Sequence, residues 1–267
     1  MTPTHKSSLR PRRWLRYSLR TLLIGVAAIC IILAVWVVPS ERQRRAVAAI
    51  RDSAGFVAYD YEIDAYNEDD EDDEDDVPFP EWASDLLGID YFAEPVLVHF
   101  MSDSTDADLA NVGVLSDLEA LVINATEHVT DAGLNHLSGL TRLKILFLGF
   151  PVSDAGLSRL RRLTALEELT LGGPIIGNDS MLRLSKMLRL RELSLDHTNV
   201  GDEGLKNLAG LTNLEFFSLR GTNVTDRGLA HLTNLRRLWA LDLSDTQVTD
   251  QGCEKLQLAL PECEIER

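Results

Sequence analysis

Residues 115 to 258 repeat themselves about every 24 residues, and a chain with that period is restricted to stacking copies of one supersecondary unit. The register reads Lxx-Lxx-LxL, with leading positions Leu115, Leu140, Leu163, Met187, Leu211 and Leu235 spaced by 25, 23, 24, 24 and 24 residues. Each run is followed by an apolar residue, a small hydroxyl residue or Gly, an Asp and a Gly-Leu pair. These read VTDAGL at 129–134, VSDAGL at 152–157, VGDEGL at 200–205, VTDRGL at 224–229 and VTDQGC at 248–253. One such unit cannot bury its own apolar face, so neighbours must stack and the architecture is a solenoid.

Within a unit, LEALVINA (118–125) alternates with period two, which predicts a short strand with Leu118, Leu121 and Ile123 inward and Ala120, Val122 and Asn124 on the other face. Stacked copies form a parallel sheet. The chain then turns at Thr126, Pro151, Pro174, Thr198, Thr222 or Thr246 and enters the VTDxGL element, which reads as a helix start. With Thr130 as N-cap, Val129 and Leu134 form a hydrophobic staple and Asp131 faces the positive end of the helix dipole. Ser153, Thr225 and Thr249 repeat the arrangement, whereas Gly177 and Gly201 are weaker caps. The recurring Asp131, Asp154, Asp202, Asp226 and Asp250 are therefore read as helix-start residues, not as a catalytic carboxylate array. Gly172-Gly173-Pro174 and Gly177-Asn178-Asp179 interrupt the third unit and predict a bent or mobile loop there.

These units resemble those of the leucine-rich repeat superfamily, particularly bacterial proteins reading LxxLxxLxLxxTxVTDxGLxxL and related to the cysteine-containing and ribonuclease-inhibitor-like subclass. The resemblance covers about residues 96–265. The SLRTLL entry to an apolar run, and WASDLLGIDYF after it, are similar to membrane-anchored bacterial members. The resemblance implies an α/β leucine-rich repeat solenoid with parallel concave strands and convex helices, preceded by a single N-terminal transmembrane helix. It implies protein recognition and no enzymatic activity. No segment is similar to an F-box, so a ubiquitin-ligase adaptor role, the distant alternative, would rest on repeat similarity alone.

Thr21 to Val38 is a stretch of eighteen uncharged residues, about 27 Å as a helix and close to the hydrocarbon thickness of a bilayer. Residues 1–45 hold nine Lys or Arg against one acid, which predicts a basic cytoplasmic tail over 1–20, a membrane span over 21–38 and an outward-facing remainder. Cleavage at Ala46-Val47-Ala48 as a signal peptide is the alternative. Residues 39–105 are expected to form a juxtamembrane and capping region, and 106–267 the repeat domain. In the former, Glu41–Asp52 is a short helix at the membrane surface, Phe56–Tyr61 is β-prone, and 67–77 carries nine consecutive acids, Glu68 to Asp76. Trp82, Leu86, Leu87, Tyr91 and Phe92 are bulky enough to cover the first repeat. Eighteen acids against Arg51 alone in 46–105 would repel phosphates, so nucleic acid is not expected as a partner. Cys30, Cys253 and Cys263 make no disulfide framework.

No nucleophile–base pair, P-loop, dinucleotide fingerprint or HExxH motif is present, and neither a cofactor, a metal nor a small-molecule substrate is expected. His128, His136, His197 and His231 fall at turn or outward positions of different units. The concave columns are more informative. Val122, Ile145 and Phe147, with the adjoining Phe150, put an apolar cluster where a water-facing strand is ordinarily polar. Two readings stay open: a docking site for another protein, or a surface covered by the acidic loop or cap. Phe216 also lies in a concave column, and toward the C-terminal half Glu192, Asp196, Asp242 and Asp245 with Arg220 give an acidic surface suited to a basic or polar partner, or to solvent alone. The chain thus reads as a membrane-anchored repeat module that binds a protein, with an envelope-organising role lacking a dedicated ligand as the alternative.

Overall fold

The computed structural model describes residues 37–60 and 93–267 apart from Ser102 and Ala125, together with Glu62 and a few positions between 24 and 31. The chain divides into two compact units, Met1–Glu41 and Arg42–Arg267, and the second carries the repeats. Most of the expected Thr21–Val38 span, the acidic run Glu68–Asp76 and the bulky segment around Trp82 and Phe92 lie outside the described residues. Among the described residues, no helix is long and apolar enough to cross a membrane.

Helix α1 (Val38–Asp52) leads to β1 (Gly55–Tyr59), which pairs antiparallel with β2 (Pro95–Phe100). Seven further strands follow in sequence order: β3 (Ala120–Ile123), β4 (Ile145–Pro151), β5 (Glu168–Gly172), β6 (Glu192–Ser194), β7 (Phe216–Ser218), β8 (Ala240–Asp242) and β9 (Glu264–Glu266). From β2 onward every neighbour is parallel, so each unit adds one strand to the growing sheet. The intervening helical segments are α2 (Asp106–Val112), a 3-10 turn at Gly133–Gly139, α3 (Asp154–Arg159), α4 (Asn178–Leu184), α5 (Asp202–Leu208), α6 (Asp226–Leu229) and α7 (Asp250–Ala259).

The predicted inward columns form the core. Leu118, Leu121 and Ile123 are fully buried, as are Leu190, Leu193 and Leu195 three units' length further on, and so are the staple pairs Val152–Leu157 and Val200–Leu205. The same continuous core takes in Ala46, Val47 and Ile50 of α1. That apolar stripe is therefore buried against the start of the repeats. Ala46 and Val47 of the small-residue triplet are thus helical and buried. Ser53, just beyond α1, donates a hydrogen bond to Asp108 of α2, tying this N-terminal cap to the first unit. Burial acts to raise the Asp108 pKa, yet hydrogen bonds from Ser53 and Thr105 together hold the carboxyl below its ordinary range.

The repeated acids do more than face a helix dipole. Asp202 accepts hydrogen bonds from both the backbone N–H (2.8 Å) and the hydroxyl (2.7 Å) of Thr225, the N-cap of the next unit. Asp226 holds Thr249 in the same way, Asp106 holds Thr130, and Asp131 holds Ser153. A local capping role alone is therefore corrected: these four carboxylates are inter-repeat clasps, whereas Asp250 of the last helical segment pairs with Arg267 at 2.7 Å. Two N–H and O–H donors on an anion are strong partners, and the Thr249 N–H followed by its hydroxyl holds the Asp226 pKa below the usual carboxylate range. A depressed pKa contributes stability above the unfolded value that is lost as pH falls through the folded one.

The third unit keeps the clasp by exchanging parts. Its cap, Gly177, has no hydroxyl, and Ser180, standing where other units have glycine, donates its own hydroxyl to Asp154 instead. One unit later the Gly201 cap offers only N–H groups. The neutral Asn178 accepts from Gly201 and Gly204 at 2.8 and 3.1 Å. The expected interruption is thus a compensated substitution in an unbroken ladder. Only at Gly173 does the bend appear, with φ of +101°.

The glycine of VTDxGL makes room for the clasp, since a Cβ at Gly228 would stand 2.5 Å from Asp202 Oδ1. Asp202→Ala should cost about 2 kcal/mol through its lost hydrogen bonds, and Gly228→Ala about 2 kcal/mol through crowding. The double variant should cost less than their sum by about 1 kcal/mol. Urea unfolding of all four proteins measures the cycle, and strict additivity would show that the carboxylate and the glycine are not coupled.

Candidate interaction surface

Period-two alternation puts one row of side chains from successive strands on the sheet's solvent side. Cα pairing aligns Ala120, Ile145, Glu168, Glu192, Phe216 and Ala240 across β3 to β8, and beside them Val122, Phe147, Thr170, Ser194, Ser218 and Asp242. With strands about 4.8 Å apart, Ile145 and Phe216 are about 14 Å from one another, and the two glutamates fill the interval. A hollow of about 190 Å³ follows these rows, lined by Val122, Ile145, Phe147, Glu168, Glu192 and Phe216 among others.

The structure therefore gathers five of the expected surface residues into one groove: Val122, Ile145, Phe147, Glu192 and Phe216. Phe150 is not among them. Strand β4 is longer than its neighbours, its alternation continues to Pro151, and Phe150 falls in phase with Leu146 and Leu148, pointing into the core at 2% exposure. The apolar surface cluster is corrected to exclude it. Asp196, Arg220 and Asp242 lie beyond the groove and are engaged locally: Asp196 accepts from Ser218, Arg220 meets Asp245 at 3.2 Å, and Asp242 accepts the Ser244 N–H at 2.8 Å.

Two residues outside the expected set complete the surface. Glu168 carries the clearest electrostatic signature, its pKa raised first by burial, then by the like charges of Glu192 and Glu167, with only a weaker opposing effect from Arg191. Nearby cations are committed elsewhere. Arg191 forms a two-pronged pair with Glu215 (3.0 and 2.9 Å), and Lys144 pairs with Glu119 at 2.7 Å. Among the described residues, neither Glu168 nor Glu192 has an ion-pair partner. Trp239, 56% exposed, tilts against Phe216 with ring centroids 6.3 Å apart and extends the aromatic end of the surface. The strand-alternation signal for Glu168 was available in its register; Trp239 precedes β8, where alternation gives no direction. No group of three or more His, Cys, Asp or Glu is placed to hold a metal ion among the described residues. Cys253 and Cys263 are unpaired thiols, and burial pushes Cys263 up to about 11.

A strand-per-unit parallel sheet backed by helices is the leucine-rich repeat architecture, and comparisons with known proteins agree. The Leucine Rich repeat family model matches residues 189–209 and 231–256. Internalin C2 from Listeria monocytogenes str. 4b F2365 superposes with a TM-score of 0.50 at 23% identity, over 68% of this chain and 72% of that one. Internalin F from the same strain is 25% identical over 51% of this chain and 37% of its own, with a TM-score of 0.43. No protein of curated function matches the sequence. The chain carries leucine-rich repeats arranged as a solenoid with one parallel sheet.

Because the Glu168 carboxyl is harder to ionise in the fold, its charged form opposes folding and the penalty is present at neutral pH and relieved on acidification. Glu168→Gln should raise the unfolding midpoint at pH 7 by no more than about 2 °C, water screening keeping the effect small. The gain should vanish at acid pH, where the wild-type carboxyl is protonated. Calorimetry at both pH values checks the sign.

Proposed function

We propose that the repeat domain is a non-catalytic protein-docking module whose seat is the groove between Val122 and Phe216. The observation that carries this is the banding of one solvent-facing row: apolar Ile145 with Val122 and Phe147, then the unpaired acids Glu168 and Glu192, then Phe216 backed by Trp239. A partner segment with a Lys or Arg between two apolar side chains matches each band. The cation would offset the mutual repulsion of the glutamates, and the apolar flanks would displace water from Phe147 and Phe216. The uncharged run Thr21–Val38 with its basic flank supports an anchoring role, with the N-terminus cytoplasmic and the repeats on the extracytoplasmic side. Protease accessibility of the repeats in intact and inner-membrane-permeabilised cells tests that topology, and protection until the inner membrane opens would reverse it.

Ile145→Asp with Phe147→Asp should weaken partner capture about 10- to 100-fold, the usual effect of losing central apolar anchors. Both side chains are only part-buried, so the circular dichroism spectrum should stay that of the parent. The readout is quantitative recovery of cross-linked partners from envelope extracts by the parent and the double variant. Equal recovery by both would overturn the docking reading and leave an envelope-organising role without a dedicated ligand.

A further inference from the structure

The helical side of the second to fourth units carries a second, oppositely charged recess. A hollow of about 470 Å³ opens among α3, α4 and α5, lined by Ser158, Arg161, Asp179, Arg183, Lys186 and Asn207, with Leu182 and Met187 alongside. From Ser158 to Arg189 the chain has six basic residues against Glu167, Glu168 and Asp179, and both glutamates belong to the strand side. This is a basic island in a protein of net charge −16.

Several cations at the strand-entry turns meet an acid of a neighbouring unit, as in Arg142–Asp117 at 2.6 Å, Lys144–Glu119 at 2.7 Å and Arg191–Glu215 at 2.9 Å. Among the described residues, Arg161, Arg183 and Lys186 meet none. Three like charges around one hollow repel each other, and no inter-repeat bond compensates, so stacking does not account for them. Beside them Leu182, which lines the hollow, is 62% exposed, so a large apolar side chain stands within the charged recess.

We propose that this recess is a second docking site, for an acidic polypeptide segment bearing apolar residues. Carboxylates fit Arg161, Arg183 and Lys186, and an apolar side chain fits Leu182. Asp179 selects among anions. Its carboxylate repels a dense charge such as a phosphate group but accepts the N–H donors that a polypeptide offers with its carboxylates. A bilayer surface would touch only the rim, whereas a chain can enter. The site faces away from the groove on the sheet, so the two are independent.

The test is fluorescence anisotropy of a short fluorescein-labelled peptide of alternating Glu and Leu, titrated with the full chain in zwitterionic detergent at low salt. Saturable binding is expected, weakened at least tenfold in Arg161→Gln/Arg183→Gln/Lys186→Gln, tightened in Asp179→Asn, and unchanged in Ile145→Asp/Phe147→Asp. All four recess positions are exposed side chains, so the variants should fold as the parent does. Absence of saturable binding, or equal binding by the triple variant, would overturn the proposal. So would a chain that ignores the peptide but floats with phosphatidylglycerol vesicles through the same three cations, which would assign the recess to lipid.

Discussion

The solenoid depends on the clasp in which an acid at the start of one helical segment grips the N-cap of the next. Leucine columns supply the burial, but apolar contacts are non-directional and tolerate sliding. Hydrogen bonds do not slide. Asp202 reaches both the N–H and the hydroxyl of Thr225, and Asp226 repeats the geometry at Thr249. On the other side of the core, the Cα pairing of β5 through β9 remains in step without a shift. Strand pairing and clasp thus fix each unit at two opposite edges, with the leucines between.

The clasp also explains why the repeat motif takes the form it does. Thr or Ser, Asp and Gly are three parts of one contact spread over two units: a donor, an acceptor and a vacancy. Where the third unit loses its hydroxyl donor at Gly177, the vacancy at Ser180 is filled by a donor instead. Where Gly201 presents only amides, the acceptor becomes the neutral Asn178. Such exchanges keep the clasp bonded, with the Gly201 and Gly204 amides both held by Asn178, while the sequence departs from its consensus.

Much of the fold was legible because the inward residues obey two periods at once, one along each strand and one between units. The staple pairs and the buried columns follow directly from that. What could not be read was contact between units at a distance of 22 to 26 residues, because Asp in a first helical turn already has a sufficient local reason to be there. Phe150 was misplaced for a related cause: its direction depends on how far β4 runs, and a strand's end is set by its neighbour's pairing and not by its own residues. The apolar run that became α1 was legible as a helix, yet its burial partner lay in the repeats. Within the groove, Val122, Ile145, Phe147 and Phe216 could be found by alternation, whereas the unpaired state of Glu168 required knowing that Arg191 turns to Glu215. The basic recess combines residues of three units whose cations look individually like ordinary solvated charges.

The two ends of the sheet differ in a way that bears on assembly. At the start, β1 runs against the direction of all the strands that follow, so another array laid along it would meet a reversed ladder. At the finish, β9 is three residues long and alternates Glu264 and Glu266 around Ile265. A repeat architecture is in principle an open-ended polymer, since the last unit offers the same template as the first. Here a change of strand direction at one end and a pair of negative charges on a short strand at the other discourage edge-to-edge addition. The exposed edges of the described sheet thus work against lateral association of one copy with another.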